Sequence, residues 1–358
     1  MRSSFRSMWK CVVVNAILVP IGVAHAQSSV TLYGMLDAGF LYANRTPGST
    51  GKNAGPTFAI DNGGLGPSVF GLRGSEDFGG GMKAEFDLES GISTVTGGIV
   101  SSNGYFLGRQ AWIGLEGNFG KIRLGVQHSP FFQAAVDLDP RHSTFGSSIL
   151  PYDNNVRFTS MISSNAVLYT TPNLAGLTGT VMFAPGGVAG DFSAGRQWSG
   201  GLKYDNGSFM VDAAIYDSNA GGAVTPIPTD IEFTGRMLGV AYRFGALTTK
   251  VSFTNYKVAG AFNSNVYGGG VDYFARSDLE LNGGVWVTSD RNDTANHSLL
   301  AAVGTTYFLS RRTSVYLQFG RVDNHGAMDT GLSLTYKDIL TEIPGTTYGV
   351  NIGMRHFF

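Results

Sequence analysis

The chain has 358 residues, 43% hydrophobic and 14% charged, with 51 glycines and a formal charge of −1. That balance excludes a disordered chain, which would be poor in apolar residues and strongly charged, and is foreign to a helical soluble enzyme. The glycines have no period of three, which excludes a collagen, and the near-zero charge without any basic run gives no attraction to nucleic acid.

The first 26 residues differ from the rest. Arg2, Arg6 and Lys10 form a positive start, Cys11 to Ala24 is a short apolar run, and Ala24-His25-Ala26 is an A-x-A cleavage site. That order is a secretory signal peptide, cleaved after Ala26. Asn15 and Pro20 break the apolar run, and a spanning helix would need about 20 residues. Taking the 3 positive charges from the 25 in the whole chain leaves 22 basic residues against 26 acidic, a net of −4. Cys11 is the single cysteine, so the mature chain has no disulfide and no thiol chemistry.

From Val30 onward the dominant period is two. In Val30–Phe40, Thr31, Tyr33, Met35 and Asp37 alternate with aliphatic or small residues. Phe209, Val211, Ala213 and Ile215 oppose Met210, Asp212 and Tyr216. Val251 and Phe253 oppose Lys250, Ser252 and Thr254, and Val315, Leu317 and Phe319 oppose Tyr316 and Gln318. Successive strand side chains point to opposite faces, so each segment has one apolar and one mixed polar face.

The connections alternate too. Short turns such as Gly117-Asn-Phe-Gly, Asp205-Asn-Gly and Phe244-Gly-Ala carry turn chemistry. Between them lie longer Gly-, Ser-, Asn- and Pro-rich stretches at 43–67, 91–104, 128–155, 185–197, 218–232, 258–264, 290–297 and 324–344. Eight long loops and seven short turns separate 16 strands, and 332 residues shared among 16 leave about 21 for each strand and its connection. Membrane strands take about 9–11 residues. An export signal, an even count of amphipathic strands and one-sided long loops predict an all-β fold: a 16-stranded antiparallel transmembrane β-barrel, one domain over 27–358, in the outer membrane. In hydrocarbon only a helix or a closed sheet bonds every backbone group internally, and closure removes the sheet edges. A secreted β-sandwich or β-solenoid would not need the loop asymmetry.

The last segment fits this expectation. Tyr348, Val350, Ile352, Met354, His356 and Phe358 share one face; Thr347, Asn351 and Arg355 share the other with Gly349 and Gly353. Phe358, at the chain's end, is expected to anchor at the membrane interface, where aromatic rings are favoured.

Several segments carry a family resemblance: Phe70-Gly-Leu-Arg-Gly-Ser-Glu-Asp-Phe-Gly-Gly-Gly, Leu107-Gly-Arg-Gln-Ala-Trp-Ile-Gly-Leu, Gly117-Asn-Phe-Gly and the terminal Gly353-Met-Arg-His-Phe-Phe. The chain resembles the Gram-negative trimeric general porins of the β-proteobacterial type. The resemblance implies a homotrimer in outer-membrane lipid and passive diffusion of small hydrophilic solutes and ions, with no cofactor. It also implies that the third long loop, 128–155, folds into the lumen as a constriction. In the family, acidic residues of that loop face a basic ladder on the wall, creating a transverse field.

On this pattern Asp137 and Asp139 are the acidic candidates. Arg109, Arg157, Lys121 and Arg123 stand where the ladder is expected. Each has a plainer reading. Asp139 precedes Pro140 and could shape a turn. Lys121 and Arg123 could be rim charges, and Arg157 could pair with a loop carboxylate. Arg109, read as mid-strand, must point inward, because charge on the lipid face costs about 2–4 kcal/mol at the midplane. The sequence departs from the family at Val69 and Val126, where arginine is usual, and at Met35, where some relatives carry lysine; the loop also lacks a Pro-Glu-Phe motif. With the net of −4, these departures lean toward cations.

Catalytic signatures are missing: no G-x-S-x-G, H-E-x-x-H or C-x-x-C is present. Gly79-Gly-Gly-Met-Lys-Ala matches a dinucleotide pattern only formally, following a turn instead of opening a helix. His128 and His142 share the long loop with Asp137 and Asp139, but their spacing matches no metal site. The expectation is therefore a channel and not an enzyme. A substrate-biased porin, with Tyr33, Tyr216 and Tyr256 as a stacking track, is the nearest alternative; a barrel enzyme or adhesin is remote.

Overall fold

The computed structural model describes residues 28–100, 104–151, 161–219, 231–335 and 343–358. The expected signal peptide and Arg157 lie outside the described residues. In chain order the strands are β1 (Ser28–Ala43), β2 (Thr57–Asp61), β3 (Val69–Gly79), β4 (Met82–Ile92), β5 (Ile99–Val100), β6 (Gln110–Gly117), β7 (Gly120–His128), β8 (Ile162–Thr170) and β9 (Leu177–Ala184). They continue with β10 (Gln197–Asp205), β11 (Phe209–Ser218), β12 (Phe233–Phe244), β13 (Leu247–Val258), β14 (Asn263–Arg276), β15 (Leu279–Asp290), β16 (His297–Phe308), β17 (Thr313–His325) and β18 (Gly345–Phe357). A helix, α1 (Pro130–Asp137), lies between β7 and β8.

All pairings are antiparallel and each strand meets its sequence neighbour around a closed ring. The short β2 and β5 are the upper halves of interrupted strands. β1 pairs with β3 over Ser28–Met35 and with β2 over Gly39–Ala43, and β5 pairs with the end of β4 before β6 takes over. Counting each interrupted strand once gives the 16 strands that the alternation predicted. The ring closes where β1 meets β18, from Met35↔Phe357 to Ala43↔Gly349. Phe358 extends that seam: its N–H donates to the Gly34 carbonyl at 3.1 Å and its carbonyl accepts from Gly34 N–H at 3.2 Å.

The alternation decides what faces where. Leu32, Leu36 and Phe40 of β1, Val285 and Val287 of β15, and Leu317 and Phe319 of β17 are exposed, while their neighbours in sequence turn inward. Such a continuous apolar exterior is stable in lipid and would aggregate in water. Exposed or partly exposed aromatic pairs lie at both ends of the strands: Tyr242 with Phe244 and Phe274 with Phe308 near short turns, Phe40 with Phe58 and Phe319 with Tyr348 near long loops. These are the rings expected at the two headgroup levels.

Candidate functional site

The inward face of the barrel has two unlike walls. On β3, β4, β6 and β7, cross-strand partners place charges side by side: Arg73 opposite Asp87, Lys83 opposite Glu116, and Glu116 opposite Lys121. Partners directly opposite share a face and lie within side-chain reach. Lys83 bonds Glu85 at 2.9 Å and Glu116 at 3.3 Å. Lys121 bonds Glu116 at 3.3 Å and also Glu85. Tyr33 donates to Asp87 at 2.6 Å and Glu89 at 3.0 Å, and Arg73 stands over its ring at 5.1 Å. Among the described residues no carboxylate bonds Arg123 and its Nε has no partner; its guanidinium lies 5.0 Å over the Trp112 ring.

The other wall, from β9 round to β18, is covered by segment 129–151. The segment starts as a helix because Ser129 caps it, accepting from Phe132 N–H at 3.1 Å, and Pro130 sits in the first turn. α1 packs on β9, β10, β11 and β12. Small residues on the wall make room for its bulk. A Cβ at Gly235 would come within 2.7 Å of Phe131, one at Gly239 within 2.7 Å of Leu138, and one at Gly349 within 2.8 Å of Phe145. Further along, the backbone is clamped: Phe145 N–H donates to Gly64 carbonyl at 2.9 Å and Gly146 N–H to Leu332 carbonyl at 2.8 Å. Phe131, Leu138, Phe145, Ile149 and Leu150 are all buried there. α1 and these apolar seats make residues 129–151 of the long connection an ordered layer.

The predicted acidic residues separate. Asp139 is 0% exposed. Its carboxylate accepts the N–H groups of Arg141 at 3.1 Å, Ser143 at 2.7 Å and Ser148 at 3.4 Å, so it holds the turn after α1. Asp137 is half-buried and pairs with Lys203 at 2.9 Å. It lines a recess of roughly 400 Å³ together with Arg123, Gln133 and Lys203. Arg109 stands just before β6 instead of mid-strand, and its Nε bonds Glu89 at 2.7 Å. Lys121 and Arg123 share the inward face of β7. The structure therefore brings Asp137 and Arg123 to one recess and keeps Asp139 apart. Tyr216 and Tyr256 are 2% and 0% exposed, so they form no water-facing track with Tyr33.

Three basic residues outside the sequence-level candidates hold the segment. Lys250 donates to the carbonyls of Asp137 at 2.8 Å and Asp139 at 2.9 Å. Lys203 takes Asp137 itself. Arg141 is fully buried and reaches Asn282 at 2.6 Å, Gln318 at 2.6 Å and the Phe145 carbonyl at 2.8 Å. Burial pushes its guanidinium down to about 10, which leaves it charged at neutral pH.

A family model described as Gram-negative porin matches residues 16–327. The chain belongs to that family. The porin is 29% identical to outer membrane porin protein 32 of Delftia acidovorans over 98% of this chain and 100% of that one. It is 27% identical to major outer membrane protein P.IB of Neisseria gonorrhoeae over 82% of this chain and 88% of the other. Among solved structures it resembles the anion-selective porin from Comamonas acidovorans, with TM-score 0.79, 26% identity, and coverage of 93% and 100%. The porin is thus an outer-membrane channel protein for passive diffusion, as the family resemblance implied.

Proposed function

We propose that this porin is a general diffusion channel whose aperture runs between segment 129–151, folded into the lumen, and the charged wall of β3, β4, β6 and β7. The observation that carries this reading is the seating of Phe131, Leu138 and Phe145 on the inward-facing glycines 235, 239 and 349. Among the described residues the charged wall has no such cover: Arg73 is exposed and Asp87 and Arg123 are partly exposed. Solutes cross by diffusion, with no chemical step and no cofactor.

The charges at this aperture nearly cancel. Glu89 compensates Arg109, Glu85 and Glu116 compensate Lys83 and Lys121, and Asp137 faces Lys203. The channel therefore selects weakly between ions, with Val69 and Val126 lacking the arginines that would tip it toward anions. A reversal potential in asymmetric KCl within about 10 mV of zero at tenfold salt supports this; a potential near the Nernst limit of about 59 mV of either sign opposes it.

Assembly as a homotrimer, removal of residues 1–26 and interfacial anchoring by Phe358 belong to the same reading. Unheated electrophoresis of the refolded chain reads the first directly.

A further inference from the structure

His142, at the turn after α1, meets two carboxylates far from it in sequence. Its Nε2 lies 3.1 Å from Asp272 Oδ2 on β14 and 3.8 Å from Glu280 Oε1 on β15. One ligand atom from each residue lies within 4.8 Å of the others. We propose that these three residues form a zinc-type divalent cation site that ties the turn to the β14–β15 wall.

Two observations beyond the clustering point to a ligand. Asp272 is 6% exposed, yet its Oδ1 has no hydrogen-bond partner among the described residues. A buried carboxylate oxygen without a partner is costly, and a cation held by both oxygens of the carboxylate satisfies it. Glu280 is held in place, since Asn282 Nδ2 donates at 3.0 Å to the same Oε1 that faces His142. Outer groups of this kind commonly fix metal-binding side chains.

The donor set selects the metal. Zinc bonds of about 2.0–2.2 Å in a tetrahedron put neighbouring donor atoms about 3.3–3.6 Å apart, between the two distances found here. Calcium and magnesium prefer all-oxygen shells, and an imidazole nitrogen with two carboxylates suits zinc and its transition-metal neighbours. The His142 side chain is 51% exposed, so a metal can enter from the water side and keep a solvent ligand. Of the neighbouring cations, Lys250 bonds the Asp137 and Asp139 carbonyls, Arg141 bonds Asn282, Gln318 and Phe145, and the Arg355 guanidinium, which also feels Glu280, lies 4.9 Å over the Phe357 ring.

The test is calorimetric titration of the refolded full porin in detergent with ZnCl2, and separately with CaCl2, in a buffer that does not chelate. One zinc per chain is expected, with calcium showing no comparable binding. His142→Asn and Asp272→Asn should each weaken zinc at least about tenfold. The other close histidine pair, His297 and His325, stacks at 4.4 Å; a His297→Gln/His325→Gln double variant should bind zinc as the parent does. The proposal is overturned if the parent binds no zinc at millimolar concentration, if His142→Asn binds as tightly as the parent, or if the double variant loses the site. Should Asp272→Asn fail to refold, by its unheated electrophoretic mobility, His142→Asn on the loop still decides the matter.

Discussion

The two inward walls teach different lessons about how a barrel makes a passage. From β9 to β18 the wall is glycine-rich and takes the bulk of segment 129–151, whose phenylalanines and leucines bury there. On β3, β4, β6 and β7 the wall carries opposite charges bonded to one another. The first wall behaves like the core of a soluble protein. The second must stay wet, because buried charges cost several kcal/mol each unless well paired. The division thus follows from where each kind of side chain finds its lowest free energy.

The comparison can be broken from the covered side with the largest effect. Gly235→Val places a side chain where the Phe131 ring sits. Overpacking of this kind costs about 1–3 kcal/mol, and the loosened segment should appear as noisier single-channel current and earlier unfolding in urea. Quiet current and parental stability would mean that α1 does not depend on this seat. Asp139→Ala leaves three backbone N–H groups without their acceptor, a loss of about 1–3 kcal/mol in urea unfolding. Asp137→Asn removes only a half-exposed ion pair with Lys203, so its loss should stay under about 1 kcal/mol. A larger loss for Asp137→Asn than for Asp139→Ala would reverse the roles given to the two residues.

On the charged side the substitutions are read through ion selectivity. Arg123→Glu should shift the reversal potential toward cations. Arg109→Glu should shift it in the same direction but less, because Arg109 does not line the recess that Arg123 shares with Asp137. Equal shifts would place the aperture elsewhere.

Much of the fold was legible because the membrane imposes a simple code. Residues such as Phe209 to Tyr216 must alternate when one face meets lipid and the other meets the lumen. The interrupted strands were not legible, since the Gly-rich stretch 62–68 looks like any loop until Gly64 accepts from Phe145 N–H. At the site, the sequence pointed to Asp137 and Arg123 but could not pair them with anything. Register decides that Glu89 meets Arg109 and that Lys203 meets Asp137, and register is a long-range property of the closed sheet. The wall glycines were visible as a composition only; that 235, 239 and 349 are seats depends on what the loop lays against them. The partners of His142 lie more than a hundred residues downstream, beyond the reach of any local spacing rule.

Thiol accessibility in the open channel distinguishes a wet wall from a covered one. Cys11 is the single cysteine and lies in the segment expected to be removed, so a lone cysteine can be placed on each wall. Arg123→Cys should react quickly with a charged thiol reagent and lower the single-channel conductance, whereas Ala214→Cys, 3% exposed on the inward face of β11 beneath α1, should not react. Equal reaction at both positions, with current reduced in both, would contradict the account.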